Sequence, residues 1–160
     1  MTLEEASRER NPFLEAVGSI TLAGGMLDNH LRTLLGSLAH EPTLLAHANA
    51  ESTDRLIDLC RLALRMQAIP KDEAAEVNKC LDLARDLKNK RNQVVHSIFF
   101  HQEDGEIQAM KPVKKTIGMS GTAITVSEME ETAAQIQELC LELFRTGWNA
   151  TAHRSGMDKF

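Results

Sequence analysis

From Phe13 to Leu38 the chain advances in alternating steps of four and three: Phe13, Val17, Ile20, Gly24, Leu27, Leu31, Leu34, Leu38. A strand repeats every two residues, so a stripe of this period is one face of a long helix. Asn11-Pro12 supplies its start, with Asn as the N-cap and Pro at the first helical position. Gly24-Gly25 interrupts the stripe, each Gly costing about 1 kcal/mol relative to Ala in a helix. Close approach of a second backbone, or a kink, would account for the pair. Glu41-Pro42 ends this helix or begins a short turn.

The same period recurs further along the chain. A second helix is expected from Ser52 to Gln67, with Leu56, Leu59, Cys60, Ala63 and Met66 on its apolar face, and Ile69-Pro70 breaks it. A third runs from Lys71 to His96 on Val77, Cys80, Ala84, Leu87, Arg91 and Val94. After His96 the pattern changes. Residues 97–102 and 106–110 are strand-prone and flank Glu103-Asp104-Gly105, which reads as a hairpin turn. Lys111 to Gly121 reads as a loop, and Thr122–Val126 can add a third short strand. Ser127 with Glu130 forms a capping box for a last helix from Glu128 into the 150s. Its seam is Ala133, Ile136, Cys140, Leu143 and Gly147, with Phe144 and Trp148 beside it. Amphipathic helices bury their apolar faces on one another. The expected fold is therefore all-α, an antiparallel four-helix bundle with a small β-hairpin inserted before the last helix. One domain is expected over residues 1–160, with 1–11 and 153–160 flexible.

Composition narrows the function. A net charge of −5 argues against nucleic-acid binding by the whole surface, so any such site must be a local basic patch on an acidic body. Three Cys at wide spacing (Cys60, Cys80 and Cys140) give no disulfide pattern. They read as small buried hydrophobes, reduced in a cytoplasmic protein. No apolar run approaches the roughly 20 residues that span a bilayer, and the charged N-terminus has no secretory h-region. No two of the six His lie three or four residues apart, as a zinc site on one helix would want. Gly-rich phosphate loops and the GxSxG elbow are missing from the sequence. No metal or cofactor is expected.

Arg91 stands where the third seam calls for an apolar residue. Burying a guanidinium without a partner is costly. It either snorkels out to pair with a carboxylate on a neighbouring helix, or it serves a site. The stretch Arg91-Asn92-Gln93-Val94-Val95-His96 holds what phosphodiester chemistry needs. Arginine offers a fixed fork of donors to phosphate oxygens, and histidine moves protons near neutral pH. Asn92 and His96 are four apart and share a helix face. Arg85, Lys88 and Lys90 add positive charge on the preceding turns, making a candidate RNA-binding patch.

Arg91 through Ser97 resembles the R-x4-6-H signature of the HEPN superfamily in its RNxxVH form. The resemblance implies an all-helical bundle that dimerises with two motifs facing across a cleft. Many members are metal-independent ribonucleases of toxin or antiviral type. By this resemblance Arg91 binds the scissile phosphate, His96 is the general acid or base, and Asn92 orients them. A dimer would supply an acid and a base together, plus two cations. The partners implied are a second copy, RNA, and an antitoxin or other protein. The inserted segment 98–126 departs from the simplest family plan.

Each of these residues also has a structural reading. His96 at a helix C-terminus is favoured by the dipole, with Arg91 salt-bridged nearby. Asp28 and His30 are either a satisfied pair or partners of the motif. Lys111, Lys114 and Lys115 either extend an RNA path or form a solvated loop. Trp148 suits core or interface better than a base-stacking platform. The alternative function is a non-catalytic helical module that binds a protein or nucleotide.

Overall fold

The computed structural model describes residues 11–101, 106–113 and 117–159. Five helices and one sheet follow in the order α1 (Pro12–Ala39), α2 (Pro42–Ala48), α3 (Thr53–Met66), α4 (Lys71–Val95), β1 (Ile98–His101), β2 (Ile107–Pro112), β3 (Met119–Ile124) and α5 (Val126–Ser155). The chain is mostly helical, with a small antiparallel sheet of strand order β1-β2-β3.

The helices begin where local chemistry says they should. Asn11 Oδ1 accepts from the backbone N–H of Phe13 at 3.1 Å and of Leu14 at 3.3 Å, with Pro12 opening α1. Glu41 and Pro42 do more than end α1: Glu41 caps α2 through Thr43 N–H at 3.0 Å. Ser52 caps α3. For α5 the cap lies two residues before the expected one. Thr125, not Ser127, is the N-cap, and its capping-box partner is Glu128. Both pairs fit the same pattern. Met129, in the first turn, is fully buried.

The side-chain bonds fix the helix directions. Thr53 meets Asp28 and Cys60 meets the Leu31 carbonyl, while Arg154 bridges the Leu38 carbonyl to Gln67. Gly147 lies against Leu34. So α1, α3 and α5 rise together. Arg61–Asp82, Lys88–Asp54 and Thr146–Cys80 show α4 running the other way. This corrects the fully antiparallel expectation. The connection from α1 to α3 is no tight turn, because α2 carries the chain back before α3 begins.

The core draws on the expected seams at Ile20, Leu27, Leu31 and Leu38 of α1, Leu56 of α3, Leu87 of α4, and Ile136 and Leu143 of α5, and adds Leu35, Ile57, Leu81 and Met129, which the seams did not include. Met66, expected in the seam of α3, is 75% exposed at the helix end. Phe144 is exposed too and packs on Trp148 at 6.5 Å between ring centroids. All three Cys are free; Cys60 and Cys140 are buried and Cys80 is half-buried. Burial pushes the Cys60 thiol up to about 12.

The insertion is a three-stranded meander. Phe99 pairs with Ala109 and Ala109 with Thr122, and Lys111 pairs with Ser120. Phe99 stacks edge-on against Phe13 at 5.0 Å, which fastens β1 to the start of α1. Lys111, expected in a loop, belongs to β2. Residues 1–10, the Asp104-Gly105 turn and both Lys114 and Lys115 lie outside the described residues. The tail carries three anchors. Gly156, with φ 63°, caps α5, the Trp148 Nε1–H donates to the Asp158 carbonyl at 3.0 Å, and Lys159 pairs with Glu73. Among the described residues no helix is long and apolar enough to cross a membrane.

Candidate functional site

The C-terminal end of α4 carries the motif, with Arg91 just before the last turn and His96 just after it. Arg91 is half-buried, and its guanidinium lies directly over Gly24 of α1. A Cβ added at Gly24 would stand 2.3 Å from Nε and 2.9 Å from Nη2. The irregular residue of the α1 seam therefore faces the irregular residue of the α4 seam. Gly24 admits a side chain, not a second backbone. Gly25 has open space beside it. The guanidinium stays inside the seam because glycine leaves it room.

Arg91 Nη1 donates to Asn92 Oδ1 at 2.8 Å. Among the described residues Arg91 forms no ion pair with a carboxylate, so the expected salt bridge to a neighbouring helix is not found. Its remaining donors are oriented by one neutral amide. That suits an arginine meant to receive an anion.

His96 is the C-cap of α4, with φ −111° and ψ 23°. Its imidazole is exposed and makes no hydrogen bond among the described residues. Residues five apart on a helix are separated by about 140° around the axis. Within one chain Arg91 is bonded to Asn92, and among the described residues no hydrogen bond joins either of them to the His96 imidazole.

The proposed basic patch is mostly neutralised. Arg85 donates to Asp58 at 2.7 Å and lies 3.7 Å from Asp54, while Lys88 reaches Asp54 at 2.6 Å. These two cations tie α4 to α3. Lys90 is exposed and lines a cavity of about 290 Å³ between α4, the sheet and α5. Asp28 accepts from Thr53 at 2.6 Å, and His30 Nδ1 lies 2.9 Å from the Met26 carbonyl, so both are satisfied locally. Trp148, half-buried and bonded to the tail, is no open stacking platform.

Of the three lysines weighed as an RNA path or a solvated loop, Lys111 has a contact that sequence reasoning did not anticipate. Lys111 Nζ donates to the backbone carbonyl of Asn92, at the end of α4. Burial pushes its amine down from the ordinary lysine range. A signal for it existed: the last turn of α4 contains no basic residue, so the carbonyls there need a cation from elsewhere. Among the described residues no group of three or more His, Cys, Asp or Glu is placed to hold a metal ion.

The chain matches no family model, no curated protein and no solved structure.

Proposed function

We propose that this protein is a metal-independent endoribonuclease of HEPN-like toxin or defence type, a cytoplasmic four-helix bundle that acts as a homodimer. The observation that carries the reading is the half-buried Arg91 guanidinium, seated over Gly24, held by Asn92 and without a carboxylate partner among the described residues. A seam position given to an arginine, with a glycine opposite to house it, is costly unless the charge has a use. A phosphodiester is that use, and RNA is the substrate class the motif implies.

The second copy follows from the chemistry and from a surface. One chain offers one imidazole, whereas cleavage needs a base for the 2′-hydroxyl and an acid for the leaving oxygen. In the dimer one His96 takes the 2′-hydroxyl proton as the 2′-oxygen bonds to phosphorus. The other His96 protonates the 5′-oxygen as the P–O5′ bond breaks. The products are a 2′,3′-cyclic phosphate and a 5′-hydroxyl. The two Arg91 guanidinium groups hold the non-bridging oxygens, where negative charge builds up. The outer face of α1 supports this assembly. Leu14, Leu22 and Met26 are 62%, 72% and 45% exposed, and nothing lies within 4 Å of a Cβ added at Gly18 or Gly25. This stripe lies on the face of α1 turned away from the buried Gly24, and a second copy meeting along it would cover that apolar surface.

The second reading is the non-catalytic helical module that binds a protein or nucleotide. The pairing of Arg85 and Lys88 with Asp54 and Asp58 favours it, since it leaves less free positive charge for RNA. The deciding experiment is cleavage of total RNA by the purified protein. Arg91→Ala and His96→Ala should each reduce cleavage by roughly a hundredfold or more while the fold is kept, because each removes a group acting in the transition state. Excess EDTA should leave the rate unchanged. Cleavage that survives either substitution defeats the ribonuclease reading, and EDTA sensitivity would point to a metal nuclease.

A further inference from the structure

A second cavity, about 220 Å³, lies between the last turn of α4 and the outer rows of β2 and β3. Gln93, Ser97, Ala109, Lys111, Ser120 and Thr122 line it. The lining holds one amide, three hydroxyls and one ammonium, and no carboxylate. Its charge is therefore +1 on a chain of −5. The arrangement comes from register. Lys111 pairs with Ser120 and Ala109 with Thr122, so all four share one face of the sheet. The small Ala109 leaves the hollow, and Gln93 and Ser97, four apart at the end of α4, close it.

From this lining we infer that the inserted sheet carries a sugar–phosphate subsite for single-stranded RNA. The inference rests on the ribonuclease reading and extends it to substrate placement. Lys111 spends one donor on the Asn92 carbonyl and keeps two for a phosphate oxygen. Ser97 donates to the Gln93 carbonyl and keeps its lone pairs for an incoming hydroxyl. Ser120 and Thr122 can both give and accept, as a 2′-hydroxyl requires. Through Asn92 the same lysine touches the residue that orients Arg91. Gln93 and Arg91 are two residues apart on α4, so a nucleotide held here lies across the end of that helix from the guanidinium. The larger cavity shares Gln93, Ala109 and Thr122 with this one but is lined by Glu128 and Glu131 as well as Lys90, so those carboxylates bound the subsite on that side.

The test separates binding from cleavage by using full-length His96→Ala protein and fluorescent oligo-uridine RNA, with oligo-deoxyuridine as control. Lys111→Met should weaken RNA binding about tenfold, the effect of losing one charge-assisted contact. It should also lower the slope of log K against log salt by about 0.7, one phosphate's share for a single strand. Lys111→Arg should restore most of the affinity. Thr122→Val should narrow the preference for RNA over DNA. Thermal melts of each variant separate loss of the fold from loss of binding. Unchanged affinity and salt slope in folded Lys111→Met overturn the subsite, while cleavage by the wild-type protein leaves the ribonuclease standing. A wild-type protein that neither cleaves nor binds RNA overturns both. If Lys111→Met unfolds, Lys111→Arg and Thr122→Val decide: equal RNA and DNA affinities in the parent, or no change in preference with Thr122→Val, also overturn it.

Discussion

Arg91 owes its place to a residue that is missing a side chain. The guanidinium occupies the space over Gly24, and a methyl group there would collide with Nε. Gly24→Ala is therefore expected to displace the arginine without breaking the helix. Helix propensity works in favour of the substitution by about 1 kcal/mol, so the melting temperature should hold or rise. Cleavage should fall at least tenfold, because the donors would no longer be aimed. Melting and cleavage measured on one preparation check this, and full activity in a stable Gly24→Ala protein would detach Arg91 from the site. The two anomalies were visible in the sequence as separate facts. That they face each other was not, since nothing local says which seam meets which. The mispaired basic patch has the same origin. Arg85 and Lys88 look free along the chain, and Asp54 and Asp58 oppose them only after α3 has packed on α4.

At the scale of elements, local chemistry placed the helices closely and the sheet loosely. Asn11-Pro12, Ser52 and Ile69-Pro70 are punctuation that acts within a few residues. The strands depend on pairing, so Lys111 reads as loop until Ser120 lies across from it. At α5 the sequence holds two overlapping capping boxes, and the structure forms the first, Thr125 with Glu128. Thr125→Ala should then cost about 1 kcal/mol in denaturant unfolding, while Ser127→Ala should be near neutral. The reverse order would place the cap at Ser127. The bond has a pH signature. The Thr125 backbone N–H, with its hydroxyl, holds the Glu128 carboxyl below the ordinary range. A lowered folded value means stability that is present above the unfolded carboxylate range and lost as pH falls through the folded one. Part of the acid sensitivity of unfolding should disappear in Glu128→Gln, and an unaltered pH profile would refute that assignment.

For the whole molecule, the outer stripe of α1 is where the proposed dimer is tested. Leu22 is its most exposed member, at 72%, and touches little within the chain. Leu22→Asp should change the stability of one chain by no more than about 0.5 kcal/mol. It should also shift the sedimenting species from dimer to monomer and abolish cleavage with it. A Leu22→Asp dimer of full activity would move the interface to another face.

The direction of the helices has a consequence for how the molecule comes into being. The first helix finishes its core against the last, and the bond from Arg154 to Leu38 spans 116 residues. At synthesis rates of about 5–20 residues per second, the leucine row of α1 waits on the order of ten seconds for its cover. Contacts this distant in sequence also slow the search for the native state. During that interval the nascent protein presents an adhesive surface to chaperones and to sister chains, and Arg91 has no finished core beneath it.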